Sequence, residues 1–334
     1  MKKRALSLFL ASMMMTGMVA GTGVQVEAAE TKAPKYVFLF IGDGMSYPQI
    51  QLTNYFVSAN EAKKSGEKVK VDGEEKEVLS SKNNLNMMDF PVSGSAQTYD
   101  STSFAPDSAS TATSIATGNK TWSGSINVST DFTTEYETIA EKLKDQKDYK
   151  VGIISSVNMN HATPAAFYAH QESRNAYYDI GLEMIDSGFD YFAGGALLSP
   201  TGEDGKQKDL YKLSEEAGYK VVKTQKEAEA LKAEDGKVIV VDEHLADSDA
   251  MAYDMDRKEG EWALADYVDK GIEMLDNEKG FFMMVEGGKI DWACHANDAA
   301  STISDTIALD DAVAEAVEFY EEHPLLSDPG DGGS

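Results

Sequence analysis

Two carboxylates and a histidine follow one apolar run late in the sequence. The run Phe281–Val285 is followed at once by Glu286, and then by Asp291 and His295, which are four residues apart. Side chains at positions i and i+4 of a helix lie on the same face, so this Asp and this His could bind one metal ion. The pattern therefore predicts a metal centre, with zinc as the ion that these ligands suit.

A further carboxylate follows another apolar run. Tyr36–Ile41 is typical of a strand buried on both faces, and Gly42, Asp43 and Gly44 come directly after it. The flanking glycines allow a sharp turn, which would suit a metal ligand that faces a crevice. A simple Asx turn would account for Asp43 alone equally well.

A stretch of small residues contains a serine that could act as a nucleophile. Residues 105–118 predict a helix that runs toward Gly118 with Asp107 as its N-cap. Ser108 would then lie in the first turn, where free N–H groups and the helix dipole favour an anion. Its hydroxyl could attack a phosphoryl group, and the helix end would stabilise the adduct. An ordinary capping segment is the alternative.

The third polar group contains His161, Thr163 and Arg174. Only three of the 30 basic residues Lys and Arg are arginines, so we expect an arginine where its planar fork is needed. Bidentate phosphate binding is such a place, and Arg174 is the candidate for it. Arg257 lies in an acidic, polar stretch and is expected at the surface.

The first 28 residues have the composition of a secretory signal peptide. Three basic residues precede the apolar stretch Ala5–Ala20, and small residues follow at Val26–Ala29. A membrane anchor is the alternative, but this run is shorter than the ~20 residues that a span needs. The pattern predicts an exported protein that is periplasmic, cell-surface or extracellular, with no transmembrane segment after cleavage.

The net charge of −27 at pH 7 restricts the partners of this protein. Such an acidic chain repels nucleic acid and anionic membranes, so no nucleic-acid binding is expected. An anionic phosphate ester would be repelled as well, unless bound cations reverse the local field. The single cysteine, Cys294, excludes an internal disulfide.

The order of apolar runs and helical patterns predicts an α/β fold. Runs of strand length alternate with helical periodicity, which is typical of a mainly parallel sheet covered by helices on both faces. The predicted strands are Tyr36–Ile41, Val151–Ile154, Val238–Val241 and Phe281–Val285, and the predicted helices are Glu137–Leu143, Tyr177–Met184, Trp262–Leu275 and Thr302–Tyr320. Two charged stretches, Asn60–Asn84 and Pro200–Asp235, are expected to be surface excursions. Ligands bind at the carboxyl ends of the strands in such sheets.

Taken in order, these motifs resemble those of the alkaline phosphatase family. The matching stretches are Phe38–Met45, Asp107–Gly118, Asn160–Arg174 and Gly280–Asn297, within a resemblance that spans Lys35–Pro324. The resemblance implies a three-layer α/β/α sandwich and an exported, metal-dependent phosphomonoesterase. Ser108 would form a transient phosphoserine, and Arg174 would bind two phosphate oxygens. Small phosphate monoesters would be the substrates, and the chain would form a homodimer.

The resemblance also implies two Zn²⁺ ions and one Mg²⁺ ion. Asp291 and His295 resemble ligands of one zinc, and Asp43 resembles the carboxylate shared between the second zinc and the magnesium. The magnesium would also bind Thr163 and Glu286. His161 stands where some relatives have an aspartate, and a histidine there would weaken the preference for magnesium and admit Zn²⁺ or Co²⁺.

The end of the sequence departs from the family pattern. Relatives continue with a Gly-Asp-His-Glu-Thr-Gly-Gly motif, whereas this chain leaves the pattern at His323-Pro324 and has glycine after Asp331. We therefore expect residues 29–334 to be one α/β domain that is incomplete at its C-terminus, with C-terminal strands and three zinc ligands missing. A non-catalytic metal- or phosphate-binding fragment and a phosphodiesterase of the same superfamily are the alternatives. A sulfatase is disfavoured, since the Cys/Ser-x-Pro-x-Arg pattern is absent around Ser108.

Overall fold

The computed structural model describes residues 34–79 and 85–323. The signal peptide expected at residues 1–28 and the segment around Asp331 lie outside the described residues. No helix in the described ranges is both long and apolar enough to cross a bilayer.

Six parallel strands form the central sheet. They are β1 (Tyr36–Gly42), β4 (Lys150–Asn158), β5 (Tyr191–Gly195), β6 (Lys220–Val222), β7 (Val238–Val241) and β8 (Phe281–Gly287). Their order across the sheet is β1-β8-β4-β5-β7-β6. A separate antiparallel hairpin, β2 (Lys68–Val71) and β3 (Glu74–Glu77), lies exposed within the first charged stretch.

Helices connect the strands. They are α1 (Tyr47–Ser65), α2 (Ser108–Thr117), α3 (Ile139–Lys147), α4 (Ala162–Ala165), α5 (Tyr177–Asp186), α6 (Leu210–Glu216), α7 (Gln225–Glu229), α8 (Leu264–Leu275), α9 (Lys289–His295) and α10 (Ala299–Glu322). Short 3₁₀ turns cover Asn86–Met88, Ala233–Asp235, Asp247–Asp249 and Asp254–Asp256.

The helices cover both faces of the sheet. Side chains alternate along β8, so that Phe282 and Met284 pack with α2, α3, α5 and α6 on one face. Phe281, Met283 and Val285 pack with α8 and α10 on the other. The predicted three-layer α/β/α sandwich is thus confirmed, and the four predicted strands and four predicted helices are all present. The strand Val238–Val241 has the predicted bounds, and the other seven elements differ at one or both ends.

The first strand lies at an edge of the sheet rather than in its interior. All seven residues of β1 are partly exposed, because β1 is paired only with β8 among the described strands. The prediction of a strand buried on both faces was therefore wrong for Tyr36–Ile41. Its apolar side chains are only partly covered, by aromatic contacts such as that between Tyr36 and Phe319.

The second charged stretch was also misinterpreted in part. Within Pro200–Asp235 the chain forms α6, β6 and α7, and β6 pairs with β7 at the other edge of the sheet. The short apolar pair Val221–Val222 is enough to add a strand, because β7 offers its free backbone groups there. The sequence also contains β5, whose five residues are all buried and for which no strand was predicted.

A buried aspartate on α10 secures the segment that follows the undescribed residues 80–84. The Asp310 carboxylate accepts hydrogen bonds from the backbone N–H groups of Asn86 (2.9 Å) and Met87 (2.8 Å), and from the Asn86 side chain. Its side chain is buried, whereas that of the adjacent Asp311 is exposed.

We expect Asp310→Ala to lower the free energy of unfolding by roughly 1–3 kcal/mol, since it leaves buried N–H donors without an acceptor. Urea unfolding followed by circular dichroism measures this change. The matched variant Asp311→Ala should cost far less. Equal losses in the two variants would show that the Asp310 contacts do not stabilise the fold.

Candidate active site

The predicted site residues come together at the carboxyl ends of three neighbouring strands, β1, β8 and β4. Asp43 follows β1, Glu286 is the penultimate residue of β8, and His161 follows β4. Because these strands are parallel and adjacent, their ends meet at one edge of the sheet, where α/β proteins bind ligands.

Ser108 faces Asp43. Ser108 is the first residue of α2, and Asp107 caps that helix by accepting a hydrogen bond from the Ser110 backbone N–H. The Ser108 hydroxyl donates to Asp43 Oδ2 at 2.8 Å. The hydroxyl therefore lies at a helix N-terminus, where backbone N–H groups favour a negative charge.

The turn after β1 is tight enough to require glycine. Gly44 has a positive φ of 63°, and a Cβ atom on it would lie 2.7 Å from Oδ1 of Asp291. Glycine at this position lets Asp291, on α9, approach the backbone of the Asp43 turn.

Asp43 is repelled by two other carboxylates, those of Asp291 and Glu286. Burial raises the pKa of Asp43, and the negative charge of Asp291 raises it further, against the hydrogen bond from Ser108. Burial likewise raises the pKa of Glu286 to about 8, and the charge of Asp43 adds to this effect. Such a cluster is stable in its charged form only when cations compensate it.

The Glu286 carboxylate is fixed by hydrogen bonds, but one of its oxygens has no partner in the described part of the chain. It is fully buried and accepts hydrogen bonds from Ser155 on β4 and from Thr163 on α4. Its Oε1 atom is buried and has no hydrogen-bond partner among the described residues. An uncompensated carboxylate oxygen beside Asp43 and Thr163 is the donor set that a hard divalent cation prefers.

His161 contributes a second unpartnered atom. It caps α4, its Nδ1 is buried without a hydrogen-bond partner, and its ring packs edge-on against Trp292 at 6.1 Å. Burial, and then the charge of Arg174, lowers the pKa of His161 to about 4. The imidazole is therefore neutral at pH 7 and has a free lone pair for a metal ion.

Arg174 is held in place by Asp107. Its guanidinium donates to Asp107 Oδ2 at 2.9 Å, and its backbone N–H donates to the carbonyl of Gly124. Burial would raise the pKa of Asp107, but hydrogen bonds from Gly124, Ser110 and Arg174 outweigh it and lower the pKa. Asp107 was predicted only as a helix cap, because nothing in the spacing indicates a partner 67 residues away.

Asp291 and His295 lie on the same side of α9. The segment is helical, and His295 Nε2 is 3.4 Å from Asp291 Oδ1. The His295 side chain is 81% exposed, so no third ligand from the described residues encloses this pair. Within residues 34–79 and 85–323, no group of three or more His, Cys, Asp or Glu side chains is arranged to hold a metal ion.

The fold and this site define a class of protein. They describe a three-layer α/β enzyme scaffold in which a serine at a helix N-terminus faces a carboxylate cluster and a fixed arginine. The sequence profile of the family "Alkaline phosphatase" matches residues 34–327, and the chain belongs to this family. Alkaline phosphatases are phosphoric monoester hydrolases.

Curated relatives have the same family name. The chain is 29% identical to alkaline phosphatase 4 of Bacillus subtilis over 98% of its own length and 68% of the relative's. It is also 29% identical to alkaline phosphatase 3 of that organism over 95% of its own length and 66% of the relative's. It thus spans about two thirds of the length of these relatives.

Solved structures agree. The alkaline phosphatase of the Antarctic bacterium TAB5 is 30% identical and superposes with a TM-score of 0.70 over 87% of this chain and 75% of that one. A variant of that enzyme, with glutamate in place of one histidine, carries Mg in a site called M3. The Thermus thermophilus enzyme is 26% identical and has a TM-score of 0.72 over 87% of this chain and 57% of that one.

The raised pKa of Glu286 predicts how the metal-free protein responds to pH. Because its folded pKa of about 8 lies above the unfolded value near 4.5, folding favours the protonated form. The contribution of Glu286 to the free energy of unfolding is fully present below pH 4.5 and is lost as the pH rises to 8. When a chelator keeps the chain free of metal, Tm should therefore fall as the pH is raised from 5 to 8.

Differential scanning calorimetry of Glu286→Gln provides the comparison. The variant removes the titrating group but keeps the shape, so its Tm should fall less steeply with pH over the same range. A Tm profile parallel to that of the unchanged chain would show that Glu286 does not resist ionisation in the folded state.

Proposed function

We propose that this chain is the catalytic α/β part of a metal-dependent phosphomonoesterase that acts through a phosphoserine at Ser108. The observation that carries the proposal is the hydrogen bond from Ser108 to Asp43 at the N-terminus of α2, beside Arg174. Family membership supports the reaction class, and the nucleophile is our inference from the geometry.

The side chains divide the work of phosphoryl transfer. Asp43 orients the Ser108 hydroxyl by accepting its hydrogen bond. The serine oxygen forms a bond to phosphorus as the phosphorus–oxygen bond to the alcohol breaks, and the serine proton leaves with the released alcohol. Arg174, fixed by Asp107, presents its remaining N–H groups to the non-bridging phosphate oxygens. Water then hydrolyses the phosphoserine and releases phosphate.

The carboxylate cluster fits divalent cations. We propose two Zn²⁺ ions and one Mg²⁺ ion, with Asp291 and His295 at one zinc and Asp43 shared between the second zinc and the magnesium. Glu286, Thr163 and His161 would hold the third ion, and the nitrogen of His161 favours replacement by Zn²⁺ or Co²⁺. When bound, such cations would stabilise charge on the attacking and leaving oxygens.

We further propose export and a homodimer. Export rests on the N-terminal sequence pattern alone, which leaves a mature chain of residues 29–334. Support for a second copy comes from α1, where Leu52, Tyr55 and Phe56 are exposed on one side of the helix. Apolar faces of this kind are typical of protein–protein interfaces.

A non-catalytic metal- or phosphate-binding fragment is the second candidate. It is favoured by the open pair Asp291 and His295, which the described residues do not complete. Hydrolysis of a phosphate monoester by this chain alone would favour the enzyme over the binding fragment. Assays with a phosphate diester beside a monoester address the phosphodiesterase alternative.

The first test is hydrolysis of p-nitrophenyl phosphate by residues 29–334 with Zn²⁺ and Mg²⁺ supplied. Ser108→Ala should lower kcat by at least about 10³-fold, since it removes the nucleophile. Arg174→Lys should lower kcat/KM by about 10²-fold, because a lysine cannot bind two phosphate oxygens through a planar fork.

Arg257→Lys is the matched control. Arg257 is the other arginine of the described chain, it pairs with Asp254, and its substitution should leave kcat/KM unchanged. Activity that survives Ser108→Ala would contradict the assigned nucleophile. Absence of activity in the unchanged chain would favour the binding fragment.

A further inference from the structure

One buried lysine beside the site has no role in the proposed chemistry. Lys289 is the first residue of α9 and is 0% exposed. Its Nζ atom has no hydrogen-bond acceptor among the described residues. Burying an ammonium group without an acceptor is costly, so its surroundings must compensate for the lost water in another way.

Two aromatic rings take the place of acceptors. The Lys289 ammonium lies 3.9 Å from the ring centre of Tyr253 and 4.6 Å from that of Trp292. Cation–π attraction of this kind is strongest when the cation is desolvated. Burial lowers the pKa of Lys289, and the negative charges of Asp305, Asp247 and Asp256 oppose that shift without a direct hydrogen bond.

Trp292 connects this lysine to the third metal site. Its ring has the Lys289 ammonium over it and also packs edge-on, at 75°, against the His161 imidazole. The start of α9 is anchored as well, because the Lys289 backbone N–H donates to Ser156 Oγ on β4 at 3.1 Å. Rotation of Trp292 would therefore break contacts with both residues.

We propose that Lys289 is a positioning residue for the third metal site: its buried ammonium fixes Trp292, and Trp292 fixes the His161 imidazole. The inference rests on the proposed function in that His161 binds the third ion. Groups that orient a ligand without touching the metal commonly change metal affinity by 10- to 100-fold.

The test is a Co²⁺ titration of the full chain, followed by visible absorption, with His161→Ala as the baseline. Lys289→Met keeps the length and removes the charge, and it should weaken Co²⁺ binding at the His161-dependent site about tenfold. It should also make Trp292 more accessible to acrylamide, which quenches tryptophan fluorescence. The chain has three tryptophans, so the Trp292 signal is obtained by subtracting the fluorescence of the same chain with Trp292→Phe. Lys289→Arg, which retains a cation over the rings, should restore most of the affinity.

Lys270→Met is the matched control. Lys270 is also a buried lysine, but it lies on α8 and pairs with Glu273. Its substitution should change neither Co²⁺ affinity nor Trp292 accessibility, even if it lowers stability. Should Lys289→Met fail to fold, Trp292→Phe tests the same chain of contacts, since Trp292 is partly exposed, and it should weaken Co²⁺ binding similarly.

Three results would overturn the inference. They are unchanged Co²⁺ affinity in Lys289→Met, unchanged affinity in Trp292→Phe, and identical titrations of the unchanged chain and His161→Ala. Failure of the proposed function is seen separately. If the variants show the expected changes in Co²⁺ affinity but the chain does not hydrolyse phosphate monoesters, only the enzymatic assignment is contradicted.

Discussion

The mutual repulsion of three carboxylates is the constraint on which the rest of the site depends. Asp43, Glu286 and Asp291 lie where β1, β8 and α9 meet. Burial removes water from Asp43 and Glu286, and Asp43 is repelled by both of the other carboxylates. Such an arrangement costs stability in the metal-free chain and favours cations when they are present. Bound cations would also explain how a protein with a net charge of −27 could bind an anionic ester, because they would reverse the local field.

The fold keeps these charges close by building the site on rigid elements. Glu286 belongs to a strand whose residues are all buried, and Ser108 begins a helix whose cap also holds Arg174. Ser108 and Arg174, the proposed nucleophile and the proposed phosphate-binding group, are therefore linked through one side chain, that of Asp107. A change at this residue would disturb both at once.

Much of this could be predicted from the sequence, because long apolar runs and helical periodicity report burial directly. The three-layer fold and the helix from Ser108 toward Gly118 are of this kind. Edge positions could not be predicted, since the composition of β1 is that of an interior strand and only pairing decides exposure. Contacts between distant residues, such as Arg174 with Asp107 and Lys289 with Tyr253, leave no spacing signal. The contacts of His170 with Glu183 (3.4 Å) and with Glu141 (3.7 Å) could not be predicted for the same reason.

The central claim is that Ser108 accepts the phosphoryl group. The most direct measurement is to mix the metal-loaded chain with a phosphate monoester, quench with acid, and locate the modified residue by peptide mass spectrometry. The account predicts a phosphoryl group on Ser108 that is lost when the chain is left to turn over before quenching. A phosphoryl group on another residue, or hydrolysis without any modified peptide, would contradict it.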